Sequence, residues 1–282
     1  MSDPDEQRQA SIESWEAAAS GWRRRQEMMR ELSAPVSSWM LDALDPQPGE
    51  RILELAAGVG ETGLLAASRV APDGSVLISD QAQAMLDAAR ERAAELGLTN
   101  VEFRQINAEW IDLPTASVDG VLCRWGYMLM VDAETALRET RRVLAPGRRV
   151  ALAAWDDIAA NPWFAAPALE LVERGLIKPP PAGAPGPFAL SDATKLSELL
   201  HATGFTGVVV EAVDIERRHP DFDEFWESTL DFSAFVHDAV MALPSEQIDE
   251  LRASLARRLA PFTAPDGSLS LPGRTLVAAA SA

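Results

Sequence analysis

The sequence is poor in side chains that carry covalent or metal chemistry: 282 residues hold one cysteine, one tyrosine and three histidines. The lone Cys123 excludes an internal disulfide and any zinc site built from several thiolates. Cations are scarce too, with 25 Lys and Arg against 43 Asp and Glu and a formal net charge of −18. A phosphate backbone rewards clustered basic residues, so no nucleic-acid partner is expected. The arginine runs at 23–25, 141–142, 148–149 and 217–218 are short and scattered, and read as solvated ends of elements. No apolar run reaches the ~18 residues a membrane helix needs. The opening MSDPDEQRQASIESWE is acidic and polar, unlike a secretory signal. A cytoplasmic protein with no membrane partner and no metal is the expectation.

What is present is core material, 47% apolar residues against 24% charged. The length suits one large α/β domain with additions. Residues 4–32 and 35–44 read as helices, the first capped by Asp3, the second ended by Pro46, Pro48 and Gly49. Strands at 51–55, 75–79, 101–105, 118–123 and 149–154 alternate with helices at 62–70, 83–96 and 133–144. That rhythm implies right-handed βαβ units and a sheet covered on both faces. Further on, helices are expected at 162–174, from a Ser191 cap to 201, at 221–241 and at 245–259. A sixth strand falls at 207–216, and a last strand or hairpin, interrupted at Pro272-Gly273, at 268–280. Residues 178–187 hold too many prolines for regular structure. The expected organisation is one domain: a helical cap at 1–45, a cofactor core at 47–156, and substrate-side insertions with the last two strands at 157–282.

Chemistry concentrates at 53–63, LELAAGVGETG, where Gly58, Gly60 and Gly63 satisfy G-x-G-x-x-G between a strand and a helix. Glycines let the backbone turn sharply there and bring a ligand onto the free amides of the helix N-terminus. Asp80, at the end of the second strand, stands where a carboxylate accepts ribose hydroxyls. Alone, this spacing is ambiguous between a dinucleotide and another adenosyl cofactor. Glu54 favours the second, because an acid beside the loop suits an ammonium and repels a pyrophosphate. So do the long helical segment before the first strand and the absence of a second mononucleotide-binding half.

In order, RILELAAGVGETG (51–63), SVLISDQAQAMLDAAR (75–90), VEFRQINAEWIDLPTASVDGVLCRWG (101–126) and ALRETRRVLAPGRRVALAAW (136–155) resemble class I S-adenosylmethionine-dependent methyltransferases of the ubiquinone/menaquinone-biosynthesis-like group. The resemblance covers about 47–156. It implies a Rossmann-like, mostly parallel seven-stranded sheet with one reversed strand, helices on both faces, and S-adenosyl-L-methionine as cofactor. By position it implies Glu54, Ala56, Gly58 and Gly60 around the methionine moiety, and Asp80 on the ribose. Gln81 and Met85 then fall near ribose and adenine, Asn107 and Ala108 at the adenine amino group, and Arg124 where main-chain carbonyls meet the ammonium. Asn107 departs from the family's aspartate, keeping an acceptor without charge.

Catalytic residues are less legible. His219 follows the sixth strand at a ligand-facing end, and Tyr127 follows the fourth strand near the expected methyl group; both are candidates for base or substrate contact. Trp22, Met29, Trp39, Tyr127 and His237 are candidates for the substrate pocket, with Trp15 and Trp22 on one face of a helix that covers the cofactor or simply packs. His201 and Cys123 read as structural. The expected reaction is methyl transfer to a small hydrophobic acceptor, aromatic or polyketide-like, at O or C. A nicotinamide-dependent oxidoreductase and a methyltransferase-fold protein that binds the cofactor without transferring methyl are the alternatives. The segment 178–187 is a candidate lid.

Overall fold

The computed structural model describes residues 3–179, 181 and 183–282. Helix α1 (Pro4–Arg24) opens with Pro4 at its first position and the Asp3 carboxylate accepting from the Asp5 amide (3.0 Å). The helix expected to reach residue 32 stops at Arg25, and α2 (Gln26–Leu44) runs straight through Pro35. The break falls at Arg25 (φ −101°, ψ 13°), whose guanidinium is held by Glu224 and Asp231. Pro35 is exposed, so the carbonyl it frees one turn earlier can meet water.

The alternation follows as β1 (Arg51–Glu54), α3 (Glu61–Val70), β2 (Ser75–Asp80), α4 (Gln83–Glu95), β3 (Val101–Gln105), β4 (Val118–Arg124), α5 (Ala133–Val143) and β5 (Leu144–Trp155). Strand β5 begins five residues earlier than its apolar run suggests, because Leu144 already pairs with Val118 of β4. Then come α6 (Pro162–Glu173), α7 (Ala193–Ala202), β6 (Thr206–His219), α8 (Phe222–Asp231), α9 (Ala234–Met241), α10 (Ser245–Leu259) and β7 (Leu269–Ser281). Asp192 caps α7, not Ser191, accepting from the Thr194 and Lys195 amides. The helix expected over 221–241 is split at Ser233, whose hydroxyl accepts from the Val236 amide. Strand β7 is continuous through Pro272. That residue lies opposite Glu216 of β6, beyond the stretch Thr275–Ser281 that pairs with β5, so its missing amide faces no partner strand.

The seven strands lie in the order β3-β2-β1-β4-β5-β7-β6, all parallel except β7, which is antiparallel to both neighbours. Helices α2, α3 and α4 cover one face around Val36, Met40, Ile52 and Leu122. Helices α5 and α7 cover the other around Leu137, Leu200, Val121 and Tyr127. A separate apolar cluster joins α6, α8 and α10 to the first residues of β7. Helix α1 packs on α4 through Ala18, Ala19, Met85 and Ala88. No helix among the described residues is long and apolar enough to cross a membrane. Strand order reverses between β1 and β4, and in such sheets the crevice beyond the carboxyl ends at the reversal is where ligands bind.

Candidate functional site

That crevice is a cleft of about 860 Å³ including its solvent mouth. The chain leaving β1 builds its floor. Ala56 and Gly58 take left-handed backbone angles (φ 49° and 54°), and Gly60 (φ 84°) caps α3. The Ala57 amide donates to the Ser79 carbonyl (2.9 Å), fastening the turn to β2. A non-glycine residue in the left-handed region is costly, so Ala56 is a position where backbone shape outranks local preference. Asp80 locks the same turn: one carboxylate oxygen accepts from the Gly58 amide (2.8 Å), the other from the Ala82 amide (2.9 Å). Burial raises the Asp80 carboxyl, while these amides oppose the shift.

Behind the floor lie a carboxyl group and a guanidinium. Glu54 is 2% exposed, and burial pushes its carboxyl up to about 8, against the pull of Arg124 and the Gly63 amide. Arg124 is held by its Nε–H donating to Thr62 Oγ1 (3.0 Å), Thr62 in turn meeting Ser37 (3.1 Å). Its guanidinium carbon stands 4.6 Å from the Trp125 ring centroid. Glu54 Oε2 and Arg124 Nη1 are both buried without a hydrogen-bond partner, which in a folded interior marks groups awaiting one.

The walls come from three places. Helix α1 contributes Arg8, Ser11, Trp15 and Trp22, the two tryptophans meeting edge-on with centroids 5.7 Å apart. Ser11 accepts from Gln81 Nε2 (2.9 Å), and Arg8 grips Glu109 (Nη2 to Oε2, 2.7 Å), whose other oxygen accepts from the Val131 amide (2.9 Å). Ile106, Asn107 and Ala108, after β3, form a second wall; Asn107 Oδ1 accepts from the Glu109 amide (2.8 Å). The third is Trp125, Gly126, Leu129, Met130 and Val131 after β4. Trp125 adopts φ 58°, stacks on Trp155 (4.2 Å) and donates Nε1–H to Thr275 (2.8 Å). Gly126 has no room for a side chain: a Cβ there would stand 2.6 Å from both Ala56 Cβ and Cys123 Sγ.

Of the residues singled out from sequence, Ala56, Gly58, Asp80, Gln81, Met85, Asn107, Ala108, Arg124 and Trp22 line the cleft. Gly60 shapes the turn, and Glu54 lies buried at its base. Others sit elsewhere. Tyr127 is fully buried in the opposite core, its hydroxyl bonded to Thr140 (2.6 Å) and its phenol held well above the ordinary range by burial. It has neither the access nor the acidity for proton transfer. Met29 is buried in the core under α2. Trp39 donates to Glu211 (2.9 Å) on the far side of the sheet, and His237 is exposed beside Asp238. His219 is buried behind β6, outside the cleft, and burial with Arg217 beside it lowers its imidazole to about 3, too weak a base near neutrality. Of the segment 178–187, positions 180 and 182 lie outside the described residues; Gly186 donates to the Met128 carbonyl (2.9 Å). Sequence reasoning missed Arg8, Ser11, Glu109 and the 129–131 wall. Arg8 and Glu109 are 101 residues apart, and only the docking of α1 joins them.

Residues 52–147 match the model of a family described as "Methyltransferase domain". Over 119 residues the chain is 34% identical to the ubiquinone/menaquinone biosynthesis C-methyltransferase UbiE of Xanthomonas oryzae pv. oryzae, covering 42% of this chain and 47% of that protein. It thus spans about half the length of the curated relatives it matches. In fold it is similar to phosphoethanolamine N-methyltransferase 2 of Haemonchus contortus, solved with S-adenosyl-L-methionine (TM-score 0.53, 19% identity, 88% of this chain and 52% of that one). It is also similar to the [4+2]-cyclase SpnF (TM-score 0.54, 15% identity, 95% and 96%). Such distant likeness carries the fold and not the reaction. The glycine turn and the matched model disfavour the nicotinamide alternative: residues 52–147 carry a methyltransferase domain, similar in sequence to the S-adenosylmethionine-dependent ubiquinone/menaquinone-biosynthesis C-methyltransferases.

Proposed function

We propose that this protein transfers a methyl group from S-adenosylmethionine to a small apolar acceptor, aromatic or polyketide-like. The observation that carries the reading is the pair of unpartnered buried atoms, Glu54 Oε2 and Arg124 Nη1, at the base of the glycine turn. A zwitterionic amino-acid end, ammonium toward Glu54 and carboxylate toward Arg124, satisfies both at once; a pyrophosphate would leave Glu54 opposed. Asp80 then takes the ribose hydroxyls with its remaining lone pairs, Asn107 and Ala108 border the adenine with Met85 beneath it, and Gln81 joins the ribose side to α1. The segment 1–45 acts as cap, 47–156 as cofactor core, and 157–282 supplies the acceptor side.

When bound, the cofactor supplies a methyl carbon activated by its sulfonium. Trp15, Trp22, Trp125, Leu129 and Met130 keep water from that carbon, which disfavours the concentrated charge of the ground state more than the dispersed charge of transfer. Alignment in a closed cleft does much of the rest. The titratable side chains lining the cleft are Arg8, Asp80, Glu109 and Arg124, all engaged in hydrogen bonds. With none of them free to act as a base, the site suits an acceptor that arrives electron-rich or already ionised. The name of the UbiE relatives, a C-methyltransferase, supports carbon as the attacked atom.

Calorimetric titration with S-adenosylhomocysteine and with NADH tests the assignment. Binding of the first and not the second is expected, with Asp80→Ala weakening it by ~1–3 kcal/mol through lost hydrogen bonds to a charged group. Binding of NADH alone would overturn the proposal.

A further inference from the structure

Strand β6 delivers a cation to a place where no carboxylate meets it. Arg217 is 4% exposed, and its guanidinium carbon stands 5.4, 5.7 and 5.2 Å from the ring centroids of Trp163, Phe225 and Phe232. Nη2 donates to Ser228 Oγ (2.8 Å), Nε has no partner, and Arg217 makes no ion pair among the described residues. His219, two positions on and on the same face of β6, is 2% exposed with both ring nitrogens unpartnered, its ring edge-on to Phe225 at 5.2 Å. The contrast is Arg25, close by, which is met by Glu224, Glu227 and Asp231, as a structural arginine is. Those acids are engaged by Arg25, and burial, with the Arg25 charge adding to it, pulls Arg217 down to about 9 against the smaller opposing pull of Glu224.

The cage adjoins the cleft from two directions. Phe232 packs edge-on to Trp22 (5.2 Å), which lines the cleft and donates to the Phe232 carbonyl (3.2 Å). Trp163 packs on Trp155 (4.8 Å), which stacks on the cleft-lining Trp125. Phe232 and Trp163, the rings between Arg217 and these walls, are only half-buried. A buried guanidinium without an acid costs stability, and aromatic faces offset that only in part.

We propose that Arg217, with His219 beside it, recognises an anionic group on the methyl acceptor, a carboxylate or an ionised phenol or enol on an otherwise apolar skeleton. The identification of that ligand as the acceptor rests on the methyltransferase reading. The free Nε–H donates to the anion, and the neutral imidazole offers a second N–H without a competing negative charge. Ring faces around the cation hold the flat skeleton. This agrees with a cleft that lacks a free base: an acceptor whose charge is balanced by Arg217 brings its own electron density.

Calorimetry with 2-naphthoate and its uncharged counterpart 2-naphthamide, with and without S-adenosylhomocysteine, tests this. Wild-type protein is expected to bind the carboxylate about tenfold or more tightly than the amide. Arg217→Met removes the difference and leaves S-adenosylhomocysteine affinity unchanged, and Arg217→Lys retains part of it. Equal affinity of the wild type for the two compounds overturns the proposal even if no variant folds, and so does a preference that persists in Arg217→Met. Failure to bind S-adenosylhomocysteine, with the naphthoate preference intact, instead overturns the methyltransferase reading and leaves an anion site.

Discussion

Replacing Glu54 by glutamine separates what the folded chain tolerates from what its ligand requires. The Glu54 carboxyl is raised to about 8, chiefly by burial, so the folded protein holds a proton that the unfolded chain gives up near the ordinary glutamate value of 4.5. A raised folded value means that stability is fullest below the unfolded value and declines as pH climbs toward about 8. Each pH unit in that window costs about 1.4 kcal/mol, so between about pH 5 and pH 7 the wild type loses ~2–3 kcal/mol relative to Glu54→Gln, whose amide does not titrate. Urea denaturation at a series of pH values, followed by tryptophan emission, reads this directly. Binding goes the other way. The proposed ammonium contact needs the carboxylate, about one-tenth populated at pH 7 in the free protein, so S-adenosylhomocysteine binding releases a proton. Affinity then rises by about tenfold over the pH unit or two approaching 8, whereas Glu54→Gln binds more weakly with no such dependence. Stability curves of the two proteins that run parallel from pH 5 to pH 8 would refute the reasoning.

Arg8→Ala removes the clasp between α1 and Glu109. The pair is part-exposed and screened, so a loss of ~0.5–1 kcal/mol is expected, read in stopped-flow as faster S-adenosylhomocysteine release; an unchanged off-rate rejects α1 as a cap. Tyr127→Phe is expected to lower stability by ~1 kcal/mol through the lost Thr140 bond, with ligand affinity untouched; altered affinity would return Tyr127 to the site. Gly126→Ala forces a methyl against Ala56 and Cys123 and is expected to cost ~1–3 kcal/mol and to weaken the cofactor site, measured by thermal melting with and without ligand.

The cofactor half was legible because its chemistry is local. Gly58, Gly60 and Asp80 sit where the 51–80 pattern places them, and the left-handed angles at 58 and 60 show why glycine stands there. Tyr127 was misread because Trp125 turns left-handed, so the wall of the cleft goes to Trp125 and the tyrosine drops beneath the sheet to α5. Met29 and Trp39 share helical spacing with true wall residues, but spacing names a face without saying what that face meets. The Arg25 corner meets Asp231, 206 residues away, which no window along the chain contains, whereas the Ser233 cap is a local signal that the apolar spacing of 221–241 masked. Asn107 departs from the family's charge, yet its oxygen still anchors the loop as a carboxylate would.

The reversed strand has a consequence for biosynthesis. Because β7 lies between β5 and β6, a nascent chain that has emerged through Trp155 can assemble the glycine turn, Asp80 and Arg124 on a sheet whose β5 edge is bare. Strand β6 and its arginine cage then wait, tethered but unpaired, until Leu269–Ser281 leaves the ribosome and zips both gaps together. An interval with an open sheet edge is when aggregation threatens, so this fold is most exposed to misassembly between the emergence of β5 and that of β7, after its ligand cradle can already form.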